Sequence, residues 1–108
     1  MLKKTYRLSS VRLRDSRTTK GKYLVVRYSK NDLDYPRFGF VISKKIDKRA
    51  VVRNSLKRKL SVSIEEIFDR IKDGTDFVFI PNSGATALAQ EDLAKEVVEI
   101  FKKEKLIK

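Results

Sequence analysis

The chain of 108 residues contains no cysteine, no histidine and no tryptophan. Without cysteine there are no disulfide bonds and no thiolate metal sites. Without histidine the chain lacks the side chain that most often transfers protons at neutral pH and most often binds metals. No apolar run is long enough to span a membrane, and the N-terminal stretch MLKKTYRLSS lacks the apolar segment of a secretory signal. These absences predict a cytoplasmic protein that is neither disulfide-rich nor embedded in a membrane.

Acidic residues are also scarce relative to basic ones. The chain has 26 Lys+Arg against 14 Asp+Glu, a formal net charge of +12. The excess is confined to residues 1–60, which hold 19 basic and 4 acidic residues, whereas residues 61–108 hold 7 and 10. Such an excess is typical of proteins that bind RNA, DNA or an anionic membrane. The sequence therefore predicts that a polyanion meets the first part of the chain.

Apolar patterning predicts a small mixed sheet. Runs rich in β-branched and aromatic residues, bounded by polar turns, indicate strands at residues 22–29, 38–44 and 76–80. The first two could pair as a hairpin. Gly39 within the second run suggests a bulge or a close backbone approach. Pro81 is expected to end the third strand.

Two amphipathic helices complete an α+β fold with a βαβ unit. The first is expected at residues 47–72, with Asp47 as its N-cap and Gly74 as its C-cap. Its apolar stripe consists of Val52, Leu56, Leu60, Ile64, Ile67 and Ile71. The second, at about residues 90–105, buries Leu93, Val97, Ile100 and Phe101. Residues 1–20 are predicted to be a basic arm or a short helix, ahead of one RNA-binding domain at residues 21–108.

The first helix combines its apolar stripe with a cationic face. Its N-terminal turns carry basic residues without acidic neighbours after Asp47. Such crowding of like charges is unfavourable unless an anion relieves it. Lys44 and Lys45 lie just before the helix, whose N-terminus offers free N–H groups and a positive dipole end to phosphate. This pattern predicts a nucleic-acid contact.

The stretch FGFVISKKIDKRAVVRNSLKRKL resembles the signature of the bacterial ribonuclease P protein component. The matching positions, in order and spacing, are Gly39, Ser43, Lys44, Lys45, Ala50, Val51, Arg53, Asn54, Lys57 and Arg58. DGTDFVFIPNSGA is similar to the next strand and loop of that family, so the resemblance covers roughly residues 22 to 105. The family usually has Arg where this chain has Ser55, and often where it has Ser61. It also has two Phe residues in its N-terminal helix, where RLSSVRLRDSRTTKG has none.

The resemblance implies a ribosomal-protein-like fold with a left-handed βαβ crossover, against the general right-handed rule. It implies the protein subunit of ribonuclease P, an endoribonuclease that removes the 5′ leader of precursor tRNA. The RNA subunit would carry the catalysis with Mg²⁺, and one protein copy would bind that RNA and precursor tRNA. Charge pattern and resemblance together assign RNA contact to Lys44, Lys45, Arg49, Arg53, Asn54, Lys57, Arg58 and Lys59. The cleft for the single-stranded leader is assigned to Val26, Tyr28, Arg53 and Lys57. No protein residue is predicted to be catalytic or to hold a metal.

Other readings of the sequence remain open. A ribosomal protein or RNA chaperone of related fold would explain the charge and the fold, but not the spacing of the basic motif. A DNA-binding helix protein would need more base-reading residues than Asn54. Tyr28 has a purely structural alternative, with its ring in the core and its hydroxyl at the edge.

Overall fold

The fold is a four-stranded β-sheet packed against two α-helices. The computed structural model describes residues 3–8 and 12–108. Within them the elements are β1 (Arg17–Lys20), β2 (Leu24–Lys30), β3 (Arg37–Phe40), α1 (Ala50–Glu66), β4 (Thr75–Pro81) and α2 (Gln90–Lys103). Short 3-10 turns occur at Lys4–Tyr6, Phe68–Arg70 and Ser83–Ala87. The predicted α+β class is confirmed.

The sheet is mixed, with the strand order β1-β2-β4-β3. β2 is antiparallel to both β1 and β4, whereas β3 and β4 are parallel. β3, α1 and β4 therefore form the predicted βαβ unit. The predicted hairpin of β2 with β3 is wrong, because β4 lies between them. Nearly every residue of β4 is buried, and a strand buried on both faces belongs in the interior of a sheet.

β3 is shorter than the predicted strand and regular throughout. It ends at Phe40, although the N–H of Val41 still donates to the carbonyl oxygen of Phe79 at 2.9 Å. The register with β4 runs without interruption through the pair Gly39 and Val78. Gly39 is buried in this register, so the suggested bulge is not formed.

The N-terminal part of the chain joins the sheet at both edges, contrary to the predicted arm or short helix. β1 pairs with β2 from Arg17 to Lys20, and two adjacent threonines in RTTK were the overlooked strand signal. At the opposite edge, Arg7 bridges to Phe38, and the N–H of Leu8 donates to the carbonyl oxygen of Phe38 at 2.8 Å. The predicted boundary at residue 20 therefore does not divide an arm from the domain, because residues before it already belong to the sheet.

The hydrophobic core lies between one face of the sheet and the two helices. Phe77 of β4 stacks on Phe38 at 5.4 Å and on Phe101 of α2 at 5.0 Å between ring centroids. Aromatic pairs of this kind contribute about 0.5–1.5 kcal/mol each beyond the burial of their area. From α1, Leu56, Leu60 and Ile64 enter the same cluster. Both helices therefore cover the same face.

α1 is shorter than the predicted helix at both ends. Its N-cap is Arg49, without a side-chain capping bond, and the carboxylate of Asp47 instead accepts the N–H of Arg49 at 2.9 Å in the preceding turn. After Glu66 the chain continues into a 3-10 turn, and the two residues that flank this turn, Ile67 and Ile71, stay buried. Their burial extends the apolar stripe beyond the helix, which is why periodicity overestimated its length. Gly74, with φ +71°, serves the turn into β4.

α2 matches its prediction closely. It ends at Lys103, just short of the predicted residue 105. The four predicted apolar residues are all buried, namely Leu93, Val97, Ile100 and Phe101. The buried carboxylate of Glu96 accepts the backbone N–H of Tyr23 at 2.9 Å, which ties α2 to the turn between β1 and β2.

Candidate nucleic-acid interface

The predicted RNA-contact residues gather around the N-terminal half of α1. Lys44 and Lys45 are exposed in the turn before the helix, and five of the remaining six lie within α1. We call this set the α1 cationic surface: Lys44, Lys45, Arg49, Arg53, Asn54, Lys57, Arg58 and Lys59. The structure thus places three of them just before α1 and five within it, and it gives them different surroundings.

Two of these residues brace the start of the helix. Arg49 forms an ion pair with Asp47 at 3.0 Å, and its hydrogen bonds hold the pKa of that carboxyl below its usual value of 3.8. Arg53 donates from Nη1 to the backbone carbonyl oxygens of Asp47 and Lys48 at 3.0 and 2.9 Å. Asp47 therefore offsets part of the charge of Arg49, whereas Arg53 keeps its full charge because its partners are neutral.

Lys59 is engaged in packing between elements. Its Nζ donates to the carbonyl oxygen of Leu88 at 3.0 Å, and the side chain is half-buried. Nearby, Gln90 Nε2 donates to the carbonyl oxygen of Lys59 at 2.9 Å and to Ser63 Oγ at 2.8 Å. These bonds link α1 to the segment that leads into α2, so Lys59 differs from its exposed neighbours.

Asn54, Lys57 and Arg58 are the exposed members of the helix without such partners. All three are solvent-exposed, and none of them takes part in an ion pair with a described carboxylate. The first turn of α1 contains no acidic residue. Lys57 and Arg58 lie beyond the first turn of α1, outside the reach of its dipole. Like charges four residues apart, such as Arg53 and Lys57, disfavour each other by about 0.2–0.5 kcal/mol, and a bound anion relieves that cost. The arrangement therefore suits phosphate groups.

Val51 adds an apolar patch to this surface. It is 81% exposed, which is exceptional for a large hydrophobic residue in the described chain. Residues three, four and seven positions later share its side of the helix, and these are Asn54, Ser55 and Arg58. Sequence reasoning treated Val51 only as part of the family motif. Its exposure shows that an apolar side chain stands among the polar and cationic ones.

The predicted leader cleft is not assembled as expected. Val26 is fully buried against Phe79 in the core, so it has no surface to offer a ligand, and its assignment is wrong. Tyr28 is half-buried on the same face and donates from its hydroxyl to Glu104 Oε1 at 2.8 Å. Its ring approaches Phe77 at 6.5 Å. These contacts match the structural alternative for Tyr28, and they place it with α2 instead of Arg53 and Lys57.

The opposite face of the sheet carries residues that the sequence reasoning overlooked. Side chains alternate along a strand, so Val25 and Arg27 of β2 point away from the helices, as does Ile80, which pairs with Val25. All three are half-buried. Arg27 donates from Nη2 to Ser16 Oγ at 3.0 Å. We call this the helix-free face; the alternation that buries Val26 also predicts it.

No described helix is both long and apolar enough to cross a membrane. Residues 3–8 and 12–108 contain no group of three or more acidic side chains that could together hold a metal ion.

Comparison with known proteins decides the family. The sequence model of the ribonuclease P family matches residues 1–105 of this chain. The chain belongs to the ribonuclease P protein family. The ribonuclease P protein component of Syntrophomonas wolfei is 36% identical over 77% of this chain and 69% of its own length. That of Bacillus cereus strain AH187 is 33% identical over 94% of this chain and 88% of its own.

Solved structures of ribonuclease P proteins share the fold. A mutant of the Staphylococcus aureus protein has a TM-score of 0.85 at 22% identity and covers 97% of this chain and 92% of its own. The Thermotoga maritima protein in complex with 1-(4-fluorophenyl)-2-thiourea has a TM-score of 0.76 at 27% identity, covering 82% and 86%. The resemblance stated from the sequence is thereby confirmed. As a ribonuclease P protein, the chain is a subunit of a ribonuclease complex with an RNA partner.

Proposed function

We propose that this ribonuclease P protein binds the catalytic RNA subunit through the α1 cationic surface and assists Mg²⁺-dependent removal of the 5′ leader from precursor tRNA. The observation that carries the proposal is the exposed pair Lys57 and Arg58, which has no described carboxylate partner. RNA phosphate groups supply the missing counter-charge. When Lys57 and Arg58 bind them, the counterions condensed on the RNA are released, which favours binding. Arg53 holds the start of the helix in place for this contact.

The helix-free face is the better candidate path for the single-stranded leader. Sites for single strands combine an apolar or aromatic floor with neighbouring cations. Val25 and Ile80 provide an apolar floor and Arg27 a cation, and the helices pack on the other side of the sheet. This proposal replaces Val26 of the sequence-based cleft with its neighbours in the strand.

Chemistry at the scissile bond is assigned to the RNA subunit. The described acidic residues form no cluster that fits Mg²⁺, so no protein ligand for the ion is proposed. The ion, held by RNA, would supply charge stabilisation during phosphodiester hydrolysis. The protein contributes binding and orientation. Single replacements of Asp15, Asp32, Asp34 or Asp47 by Asn should leave the chemical step within a few-fold.

Reconstitution tests the proposal directly. The protein is mixed with a bacterial ribonuclease P RNA and labelled precursor tRNA at low Mg²⁺, and leader release is followed over time. We expect release to depend on the protein and to weaken in the double variant Lys57→Ala, Arg58→Ala. The double variant Lys22→Ala, Lys95→Ala removes two exposed charges elsewhere and is the matched control. Absence of any stimulation would refute the function, and RNA-free cleavage by pure protein would refute the assignment of chemistry.

The leader path has its own test. Arg27→Ala should weaken binding of precursor tRNA more than binding of mature tRNA, because only the precursor carries a leader. Lys95→Ala serves as the control. Equal losses for both RNAs would show that Arg27 does not contact the leader.

The family match favours this function over the two alternatives. A ribosomal protein or RNA chaperone would bind RNA without stimulating leader release, and a DNA-binding protein would prefer duplex DNA. We also expect one copy of the chain in each complex with the RNA. The mass of the reconstituted complex, measured by light scattering, checks this stoichiometry.

A further inference from the structure

A cavity outside the α1 cationic surface opens at the end of the sheet where β2 ends and β4 begins. Its volume is ≈ 520 Å³, within the range of roughly 300–1,000 Å³ found for small-molecule sites. Tyr28 and Lys30 of β2, Arg17 of β1 and Thr75 of β4 form part of its wall. Leu106, beyond the end of α2, adds an apolar side chain.

The cavity concentrates positive charge. Four cations line it, contributed by separate parts of the chain: Arg14, Arg17, Lys30 and Lys72. Two carboxylates, Asp15 and Glu104, also line it, but none of the described salt bridges includes any of the four cations. Glu104 accepts a hydrogen bond from the neutral hydroxyl of Tyr28 at 2.8 Å and keeps its charge, so the described lining side chains carry a net charge of +2. Cations that share a concave site attract an anion, because the site concentrates their fields.

The polar and apolar parts of the wall match the parts of a nucleotide. The cations can hold a phosphate, and the hydroxyl oxygen of Thr75 can accept a hydrogen bond from a ribose. Tyr28 offers an aromatic edge, which its bond to Glu104 holds in place. Aromatic rings beside cations are the usual components of sites for single-stranded RNA. Burial raises the pKa of the Tyr28 hydroxyl above its usual 10.0, Glu104 adds to the rise and Arg17 opposes it.

The cavity is distinct from the α1 cationic surface. α1 begins after the end of β3, at the opposite end of the sheet, because β3 and β4 are parallel and both start on the cavity side. None of the described residues that line the cavity belongs to α1. Strands of this length span about 20 Å. A ligand in the cavity would therefore make a separate contact.

We propose that this cavity binds a single nucleotide of an RNA strand, with the phosphate held by Arg17, Lys30 and Lys72 and the nucleoside against Tyr28. The proposal rests on the proposed function only in taking RNA as the partner. With the cavity and the α1 cationic surface, the protein has two RNA contacts at opposite ends of the sheet. These contacts can orient a single RNA on the protein, or two RNAs relative to each other.

A titration with small probes tests the site without any RNA complex. Amide signals of the intact protein are followed by NMR while adenosine 5′-monophosphate or inorganic phosphate is added. Adenosine 5′-monophosphate should shift the signals of Arg17, Tyr28 and Lys72 at lower concentration than phosphate does. Equal response to both probes, or shifts confined to α1, would overturn the proposal.

A pair of double variants then tests the contact with RNA. Arg17→Ala with Lys72→Ala removes two charges from the cavity, and Lys22→Ala with Lys95→Ala removes two exposed charges elsewhere. Circular dichroism first shows that both variants fold. The slope of log K against log[salt] should fall by about 1.4–1.8 for the cavity variant, since each lost phosphate contact removes about 0.7–0.9. The control variant should change it far less.

Separate measurements identify which RNA fills the cavity. A loss for ribonuclease P RNA assigns the nucleotide to the RNA subunit, and a loss for precursor but not mature tRNA assigns it to the leader. Either result supports the site. Equal behaviour of the cavity and control variants with every RNA overturns it. Failure of the protein to stimulate leader release would refute the proposed function but leave the nucleotide titration readable.

Discussion

The two helices of this protein differ in where their charged side chains lie relative to the ends of the helix dipole. α2 has Glu91 and Asp92 in its first turn and Lys102 and Lys103 in its last turn, so each charge faces the dipole end that stabilises it. α1 has no acidic residue in its first turn and no basic residue in its last. Its cations crowd the N-terminal half instead. The charges of α2 therefore stabilise that helix without any ligand. The crowded cations of α1 repel one another, and a polyanion can relieve this repulsion.

The same contrast holds for the contacts of the two helices. α2 encloses the core with Phe101 and anchors the β1–β2 turn through Glu96. α1 shares the core through Leu56 and Leu60, but its other side carries exposed cations and Val51. α1 thus packs on the core with one side and presents cations to solvent on the other, which is the side that the proposed function assigns to RNA.

The largest expected effect is on the stability contributed by α2. Phe101→Ala removes a fully buried ring that stacks on Phe77, and such substitutions lower the free energy of unfolding by about 3–5 kcal/mol. Urea unfolding followed by circular dichroism measures it. Arg58→Ala, on the exposed side of α1, is the matched comparison and should leave stability nearly unchanged. A comparable loss in Arg58→Ala would break the distinction between the helices.

A second effect concerns RNA affinity at α1. Lys57→Ala and Arg58→Ala should each weaken binding to ribonuclease P RNA and reduce the salt slope by about 0.7–0.9, because each removes one phosphate contact. Filter binding at several salt concentrations measures the slope. Lys95→Ala on α2 removes the same charge from the other helix and should change it little. Identical slopes for all three variants would mean that net charge, not position on α1, governs binding.

Ser55 offers a smaller effect that sharpens the comparison. It is exposed on α1, where the family resemblance expects Arg. Ser55→Arg should tighten RNA binding and steepen the salt slope by up to about 0.7–0.9, the value of one added contact. Ser55→Glu should act in the opposite direction. If both variants bind as the parent does, this part of α1 does not approach RNA.

The smallest effect concerns the ion pair at the start of α1. Hydrogen bonds from Arg49 lower the pKa of Asp47 in the folded protein. The ion pair therefore stabilises the fold above the pKa that Asp47 has in the unfolded chain. This stabilisation is lost as the pH falls through the lowered pKa of the folded state. NMR titration of the Asp47 carboxyl should give a pKa below 3.8, and Arg49→Ala should move it back upward. Asp47→Asn should slightly tighten RNA binding, because it releases the charge of Arg49. Weaker binding in Asp47→Asn would show that the turn itself matters more.

The sequence by itself determined the class of fold, the family and the location of the cationic helix. These properties depend on local patterns: the spacing of Leu56, Leu60 and Ile64, the runs of β-branched residues, and the motif from Lys44 to Arg58. α2 was predicted nearly to its last residue because the apolar residues at helical spacing are the same residues that face the core. The N-terminal strand was missed because RTTK is short and flanked by charges.

Only the tertiary structure decided which residues meet. Strand order depends on long-range pairing, so β4 separates β2 from β3 although the sequence separates β2 and β3 by a short loop. A shift of one residue changes the face of a strand, which is why Val26 lies in the core and Val25 on the helix-free face. The cavity beside Tyr28 joins Arg14, Lys72 and Leu106, which are far apart in sequence. No local pattern specifies such a site, because it exists only once the strands and the segment that follows α2 have packed together.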